Sequence, residues 1–197
     1  FEYVIGTTWN SIGVIEGIAG DSFAMNGAGD VVIGDSSPFG TVKVYEHVFG
    51  TSTWNQLGPD ISGSQFGDSV ALSDDGYIAA IGAFSGGVNV FEYNAGSNTW
   101  SQLGSTVAPS TTRVAHVDLS ADGTVVALME DVFSGSDYVE VYWYNGASWV
   151  QAGAQLGNSV NDGYGTWVRL SRDGSSLAIG VPRGNIDSGE IEINFAI

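Results

Sequence analysis

The sequence predicts an all-β repeat protein. It is read as about four antiparallel units of four strands each, set together as a β-propeller-like body. Three observations predict this. A Trp-x-x-x-Gly phrase occurs four times, at Trp9–Gly13, Trp54–Gly58, Trp100–Gly104 and Trp149–Gly153, with spacings of 45, 46 and 49 residues. A Ser-x-Asp-Gly phrase closes at Gly76, Gly123 and Gly174. Apolar residues alternate with period two, and no window carries the helical period. The strand pattern does not fix how the sheets face one another, so stacked β-sandwiches or an open repeat array are the alternatives.

The chain reads as a single repeat domain over 1–197, in units of approximately 14–58, 59–104, 105–153 and 154–197 plus 1–13. The first strand of a unit appears as "FGDSVALSDDG" (Phe66–Gly76), "VAHVDLSADG" (Val114–Gly123) and "GTWVRLSRDG" (Gly165–Gly174). In it Val70 and Leu72, Val117 and Leu119, and Val168 and Leu170 mark a half-buried face. The Ser-x-Asp-Gly end is turn chemistry, with Gly free to take positive φ. A short apolar run follows: "YIAAIGA", "TVVALME" and "SSLAIGV". Its Ala and Gly among Ile and Val suit a strand packed on both faces. The third strand carries β-branched pairs, Val42/Val44, Val88/Val90, Val139/Val141 and Ile191/Ile193. The Trp phrase follows after turns such as "NAGSN" and is expected on an outer strand, its Trp in the core or between units and its Gly ending the strand. The first unit is the most divergent, with Asn26-Gly27 in place of the Ser-x-Asp turn.

The stretch "FGDSVALSDDGYIAAIGA…GGVNVFEYNAGSNTWSQLG" resembles the FG-GAP-like β-propeller repeats related to the integrin α-subunit head. Phe66-Gly67, Ile81–Ala83 and the "VNVFEY" strand carry the resemblance. It extends over essentially the whole chain and is clearest in the second repeat. The pair becomes Tyr164-Gly165 in the fourth unit and is lost in the third. The resemblance implies a propeller, usually of more than four blades, used for extracellular contact with protein or glycan. Many members hold calcium in Asp-rich loops, but no matching loop motif stands here and no cofactor is expected.

Composition narrows the role. The formal charge is −17, from 22 acidic and five basic residues. Such a chain lacks the cations that neutralise phosphate, so neither nucleic acid nor membrane insertion is expected. Gly, at 29, is about twice its ordinary share and fits many tight turns. With no Cys, disulfides, thiolate metal sites and Cys nucleophiles are excluded. The chain opens at Phe1 without Met or a signal-like segment, which reads as a processed or excised form. An acidic, Gly/Ser/Thr-rich chain suggests a secreted or extracellular setting.

No linear catalytic motif is present: no Gly-x-Ser-x-Gly, no His-x-x-x-His, no Gly-rich loop opening a helix. His47 and His116 lie in different repeats and read as structural or surface residues. Tyr142, Trp143 and Tyr144 cluster aromatic surface at one strand end. They read first as packing against the next unit and second as an interaction platform for a sugar or partner protein. The terminal segments complement each other. Phe1, Tyr3 and Trp9 match the end of a third strand and a fourth strand, whereas Ile191, Ile193 and Phe195 form a third strand with no fourth after it. The expectation is that they pair, within one molecule or in a homo-oligomer or filament. On these grounds the chain is expected to be a non-catalytic structural or interaction protein, binding or self-assembling through β-rich surfaces. A carbohydrate-binding propeller lectin is the alternative, with a propeller glycosidase or lyase behind it.

Overall fold

In a computed structural model the described residues are 11–19, 21–36, 40–109, 112–131, 137–157, 167–181 and 190–195. All regular structure among them is β. The first sheet runs β1 (Phe23–Met25), β2 (Val31–Ser36), β3 (Thr41–His47) and β4 (Trp54–Gln56), with β5 (Ile61–Ser62) also on β3. The second holds β6 (Phe66–Leu72), β7 (Ile78–Ala83), β8 (Val88–Asn94) and β9 (Thr99–Gln102). The third holds β10 (Arg113–Leu119), β11 (Val125–Asp131), β12 (Tyr138–Tyr144) and β13 (Trp149–Gln151). The fourth holds β14 (Trp167–Leu170), β15 (Ser176–Val181) and β16 (Glu190–Phe195). Every sheet is an antiparallel meander in chain order, which is the form of a propeller blade. Among the described residues the four sheets do not pair into a closed ring.

The core lies between blades and not within them. Val31, Ile33, Val42 and Val44 of blade 1 meet Val70, Leu72, Ala79 and Ile81 of blade 2. Ala71, Ala80, Val88 and Val90 of blade 2 meet Val117, Leu119, Val126 and Leu128 of blade 3. Ala127, Met129 and Val139 of blade 3 meet Val168, Leu177 and Ile179 of blade 4. Strands β7 and β11 are therefore buried on both faces, which is why they are written in Ala, Val, Ile and Leu, whereas β15 buries only Leu177 and Ile179 among its described side chains. At roughly 25 cal/mol per Å², each buried Val or Ile contributes on the order of 1.5–3 kcal/mol. The β-branched pair of the third strand is covered only where a later blade exists. Val88 and Val90 are fully buried, whereas Ile191 and Ile193 are 75% and 61% exposed. At the other end, Phe23 and Met25 stand exposed where blade 2 buries Val70 and Leu72.

The three Ser-x-Asp-Gly turns are built alike. The Ser73 hydroxyl donates to Asp75 Oδ1 at 2.6 Å and accepts from Ile78 N–H at 2.9 Å. Ser120 with Asp122 and Val125, and Ser171 with Asp173 and Ser176, repeat the pattern. The turn glycines Gly76, Gly123 and Gly174 have φ of 77°, 73° and 71°. In blade 1, Asn26 does the work of both Ser and Asp: its Oδ1 accepts from Asp30 N–H and Val31 N–H. The turns also join laterally. Asp74 N–H donates to Ala121 O, and Ala121 N–H to Arg172 O, each at 2.8 Å. Asn26 Nδ2 donates to Asp74 O at 3.2 Å.

The Trp phrases lie on the outermost strands β4, β9 and β13, with each Gly just beyond the strand end. Their indoles reach sideways to the neighbouring blade. Trp100 Nε1 donates to Leu57 O, and Trp149 Nε1 to Leu103 O, both at 2.8 Å. Each acceptor is the residue before the Gly of the preceding blade's phrase, so one phrase seats on the last.

Of the terminal residues expected to pair, Phe1, Tyr3 and Trp9 lie outside the described residues. Ile191, Ile193 and Phe195 form β16, paired with β15 in the register Ile191↔Gly180, Ile193↔Ala178, Phe195↔Ser176.

Candidate functional site

The first strands β1, β6, β10 and β14 line the inner wall of the arc, and a cavity of about 790 Å³ opens along it. Sheet register fixes which residues share a level. Ala24 pairs with Ile33, Ala71 with Ala80, Asp118 with Ala127 and Arg169 with Ala178. One level around the wall therefore reads Ala24, Ala71, Asp118, Arg169. The adjacent level reads Ser22, Ser69, His116, Trp167. The wall is small on blades 1 and 2 and large, polar and aromatic on blades 3 and 4, and all eight residues line the cavity. Small residues on one side leave the space that the large ones face.

His116 is 8% exposed, and its ring lies 4.6 Å from that of Trp167 at 60°. Its Nδ1 is buried and has no hydrogen-bond partner. Burial, with repulsion from the Arg169 guanidinium, pushes its pKa down to about 4, so the ring is neutral at physiological pH. Asp118 pairs with Arg169 at 3.2 Å and accepts from Leu170 N–H at 2.7 Å. Burial still raises its pKa, against those stabilising contacts. Trp167 is 61% exposed and offers a ring face to the cavity.

The charges on this wall are matched across blades. Arg113 holds Asp68 through Nε at 2.5 Å and Nη2 at 3.2 Å, and Asp131 lies 3.6 Å from its Nη1. Arg172 pairs with Asp74, two blades away in the chain. Asp21, Asp68, Asp74 and Asp118 line the cavity with Arg169 and Arg172, so each cavity arginine already has a carboxylate partner. An anion entering here finds four carboxylates and engaged guanidinium groups.

The residues marked by sequence are elsewhere. Trp143 is 46% exposed near the end of β12, where it pairs with Val125 on one side and Val150 on the other. Tyr144 packs instead against Trp149, with ring centroids 5.1 Å apart. The Tyr142 hydroxyl donates to Glu140 at 2.9 Å while its ring joins the core between blades 2 and 3. Only Trp143 of the three presents a free face. His47 is structural: its Nε2 meets Thr51 O at 2.8 Å and its ring tilts on Trp54. His116, which sequence assigns to a structural or surface role, is the residue placed at the cavity. Its level on the wall, shared with Ser69 and Trp167, is the signal that finds it. Among the described residues no group of three or more His, Asp or Glu side chains is placed to hold a metal ion.

Comparison with solved structures shows the propeller architecture. TolB from Acinetobacter baumannii is similar at 19% identity and a TM-score of 0.57, over 94% of this chain and 42% of that one. The Kuenenia stuttgartiensis hydrazine synthase is similar at 13% identity and a TM-score of 0.60, over 93% and 49%. A 6-phosphogluconolactonase-like protein of Bacteroides fragilis gives 15% identity and a TM-score of 0.59, over 87% and 49%. The chain thus spans about half the length of the propellers it matches. At these identities the likeness carries the fold alone. No family model and no curated protein sequence matches the chain.

These neighbours correct the expected function. The lack of linear catalytic motifs leads to the expectation of a non-catalytic structural or interaction protein. Yet structures named as enzymes, hydrazine synthase and the 6-phosphogluconolactonase-like protein, share this architecture. The physical reason is that a cavity lined by several blades draws its residues from distant positions, as the cavity holding His116 and Trp167, 51 positions apart, does here. The lack of a linear motif therefore does not decide the role.

Proposed function

We propose that this chain is a ligand-binding part of a β-propeller, taking a small neutral or cationic polar molecule on its inner wall. The supporting observation is the buried His116 Nδ1, without a partner, at a cavity whose arginines are already engaged. A buried imidazole nitrogen left unpaired costs on the order of 1–3 kcal/mol, which a hydrogen-bonding ligand recovers. Trp167 supplies a stacking face, or a cation–π face for a cationic ligand. The carboxylates disfavour anions, phosphate esters included. The FG-GAP-like assignment is part of this reading. Phe66 is buried, and Gly67, at φ 98°, sits at the bulge in the β6–β7 pairing, where a methyl group would stand 2.8 Å from Asp35 Cβ of blade 1, which gives the Phe-Gly pair a structural reason. A secreted or extracellular setting accords with the acidic, Cys-free composition.

The test is a thermal-shift screen of small neutral, cationic and anionic compounds against the chain and its Trp167→Ala and His116→Ala variants. Neutral or cationic hits that lose at least tenfold in affinity in both variants support the reading. Hits confined to anions, or hits unaffected by either substitution, overturn it.

A further inference from the structure

The sequence holds two Asn-Gly pairs, Asn26-Gly27 and Asn145-Gly146, each followed by Ala, and the fold treats them in opposite ways. Asn26 is 6% exposed. Its Nδ2 donates to Asp30 Oδ1 at 2.8 Å and to Asp74 O of blade 2 at 3.2 Å. Gly27 is walled in as well, since a methyl group placed on it would lie 2.5 Å from Asp74 Oδ1. Asn145 instead stands at the tip of the hairpin between β12 and β13, where residues 145–148 are all exposed. A methyl group on Gly146 would meet nothing within 4 Å, and the Gly146 N–H donates no hydrogen bond among the described residues. The Asn145 side chain curls over its own turn. Its Oδ1 accepts from Ala147 N–H at 3.0 Å and from Ser148 N–H at 2.9 Å. Its Nδ2 donates to Ser148 Oγ at 3.3 Å. Two backbone donors on a carbonyl oxygen draw electrons from its carbon and stabilise negative charge that gathers on the oxygen. Asn145 Cγ is thereby an electrophile in open water, beside a glycine nitrogen that nothing holds.

We infer that Asn145 is a site of self-modification, at which the side-chain amide becomes a carboxylate. Gly146 N gives its proton to water or hydroxide and attacks Asn145 Cγ. The Cγ–Nδ2 bond breaks, and the nitrogen takes up a proton and leaves as ammonia. A five-membered imide ring remains. Water then adds to one of its two carbonyl carbons. Addition at Cγ breaks the new bond to Gly146 N and gives Asp. Addition at the backbone carbon breaks the original peptide bond and leaves the main chain running through Cβ and Cγ. Either way water is consumed, ammonia is released, and no oxidant or reductant takes part. The Asp product keeps both backbone donors, which a carboxylate accepts more strongly than an amide. The rerouted product lengthens the main chain next to the Tyr144↔Trp149 pair that closes the hairpin. Asn26 Oδ1 also has two backbone donors, but there the fold blocks the reaction. The leaving nitrogen is tied to two acceptors, burial excludes water, and the Asp74 carboxylate beside Gly27 opposes loss of a proton from its N–H. This site lies on the outer rim of blade 3 and does not involve the inner wall.

The experiment incubates the 197-residue chain in mildly alkaline buffer, folded and in urea, beside Gly146→Ala. Peptide mapping by mass spectrometry follows the gain of about 1 Da at each Asn-Gly pair, with released ammonia as a second readout. In the folded chain Asn145 should convert at least tenfold faster than Asn26. In urea the two rates should come within about threefold of each other, since the fold that separates them is gone. In folded Gly146→Ala, conversion at Asn145 should slow at least tenfold, because the added methyl group hinders the attacking nitrogen. Equal rates in the folded chain, a difference that persists unchanged in urea, or a Gly146→Ala variant that converts as fast as the parent overturns the inference.

Discussion

Replacing Gly123 by Ala separates two reasons for a glycine at a turn. The first is conformational: at φ 73° a Cβ costs roughly 1–2 kcal/mol. The second is close approach. A methyl group on Gly123 would stand 2.5 Å from Ile78 Cδ1, 2.8 Å from its Cβ and 2.9 Å from its Cγ2. The Cδ1 atom can swing aside, but Cβ is fixed to a strand of the neighbouring blade, so this clash resembles core overpacking at about 1–3 kcal/mol. Ala also stiffens the unfolded chain, which returns about 0.4–1 kcal/mol. The net expectation for Gly123→Ala is a loss of about 2–4 kcal/mol. Gly146 is the control. Its φ is 92°, and nothing lies within 4 Å of a methyl placed there, so Gly146→Ala should lose only about 1 kcal/mol or less. Urea unfolding followed by Trp fluorescence gives both values. If the two variants fall within about 0.5 kcal/mol of each other, the close approach between blades is not what this turn glycine serves.

Other expectations follow from the same geometry. With its folded pKa near 4 against 6.5 unfolded, His116 adds stability that is complete above pH 6.5 and lost as pH falls towards 4. Wild type should therefore lose up to about 3 kcal/mol more than His116→Gln across that window; parallel stability curves in pH-dependent urea titrations would refute this. Trp100→Phe keeps the ring against Gly58 but leaves Leu57 O without its indole donor. It should cost about 1–3 kcal/mol by equilibrium unfolding, and a melt like the parent's would count against the lateral bond. Ser120→Ala removes the acceptor for Val125 N–H and the donor to Asp122. A loss of about 1–3 kcal/mol is expected, to be checked by thermal denaturation, and Ser120→Thr should recover part of it.

What sequence could read depended on distance along the chain. The Ser-x-Asp-Gly turns were legible because the hydrogen bonds that shape each one, from Ser73 to Asp75 and from Ile78 to Ser73, close within five residues. The alternation of Val117 and Leu119 was legible because one face of a strand repeats locally. The Trp phrase was legible as a recurrence, but its acceptor was not, because Trp100 and Leu57 are 43 positions apart. The inner-wall site was hidden more deeply. Counting back four residues from Ser73, Ser120 and Ser171 sets Ser69, His116 and Trp167 level, but only the assembled blades show that this level faces a shared cavity. The ion pair between Arg172 and Asp74 likewise follows from curvature, which places turns of blades 2 and 4 side by side. The exposure of Ile193 beside the burial of Val90 is a matter of position in the array, since both belong to the same motif.

The lateral Trp joint bears on how such a chain grows. Each unit brings its own indole donor and, a few residues later, the carbonyl and glycine that receive the next unit's indole. A duplicated unit inserted in frame would find a seat already prepared before it and would prepare one behind it. Loss of a whole unit would rejoin two compatible ends in the same way. Blade number can therefore drift by recombination without redesign of any interface, while a change in half of a joint must wait for its complement. Selection acting on the array would be expected to hold the Trp and Gly together and to leave the inner wall free to diverge blade by blade, as the contrast between Ser69 and His116 already illustrates.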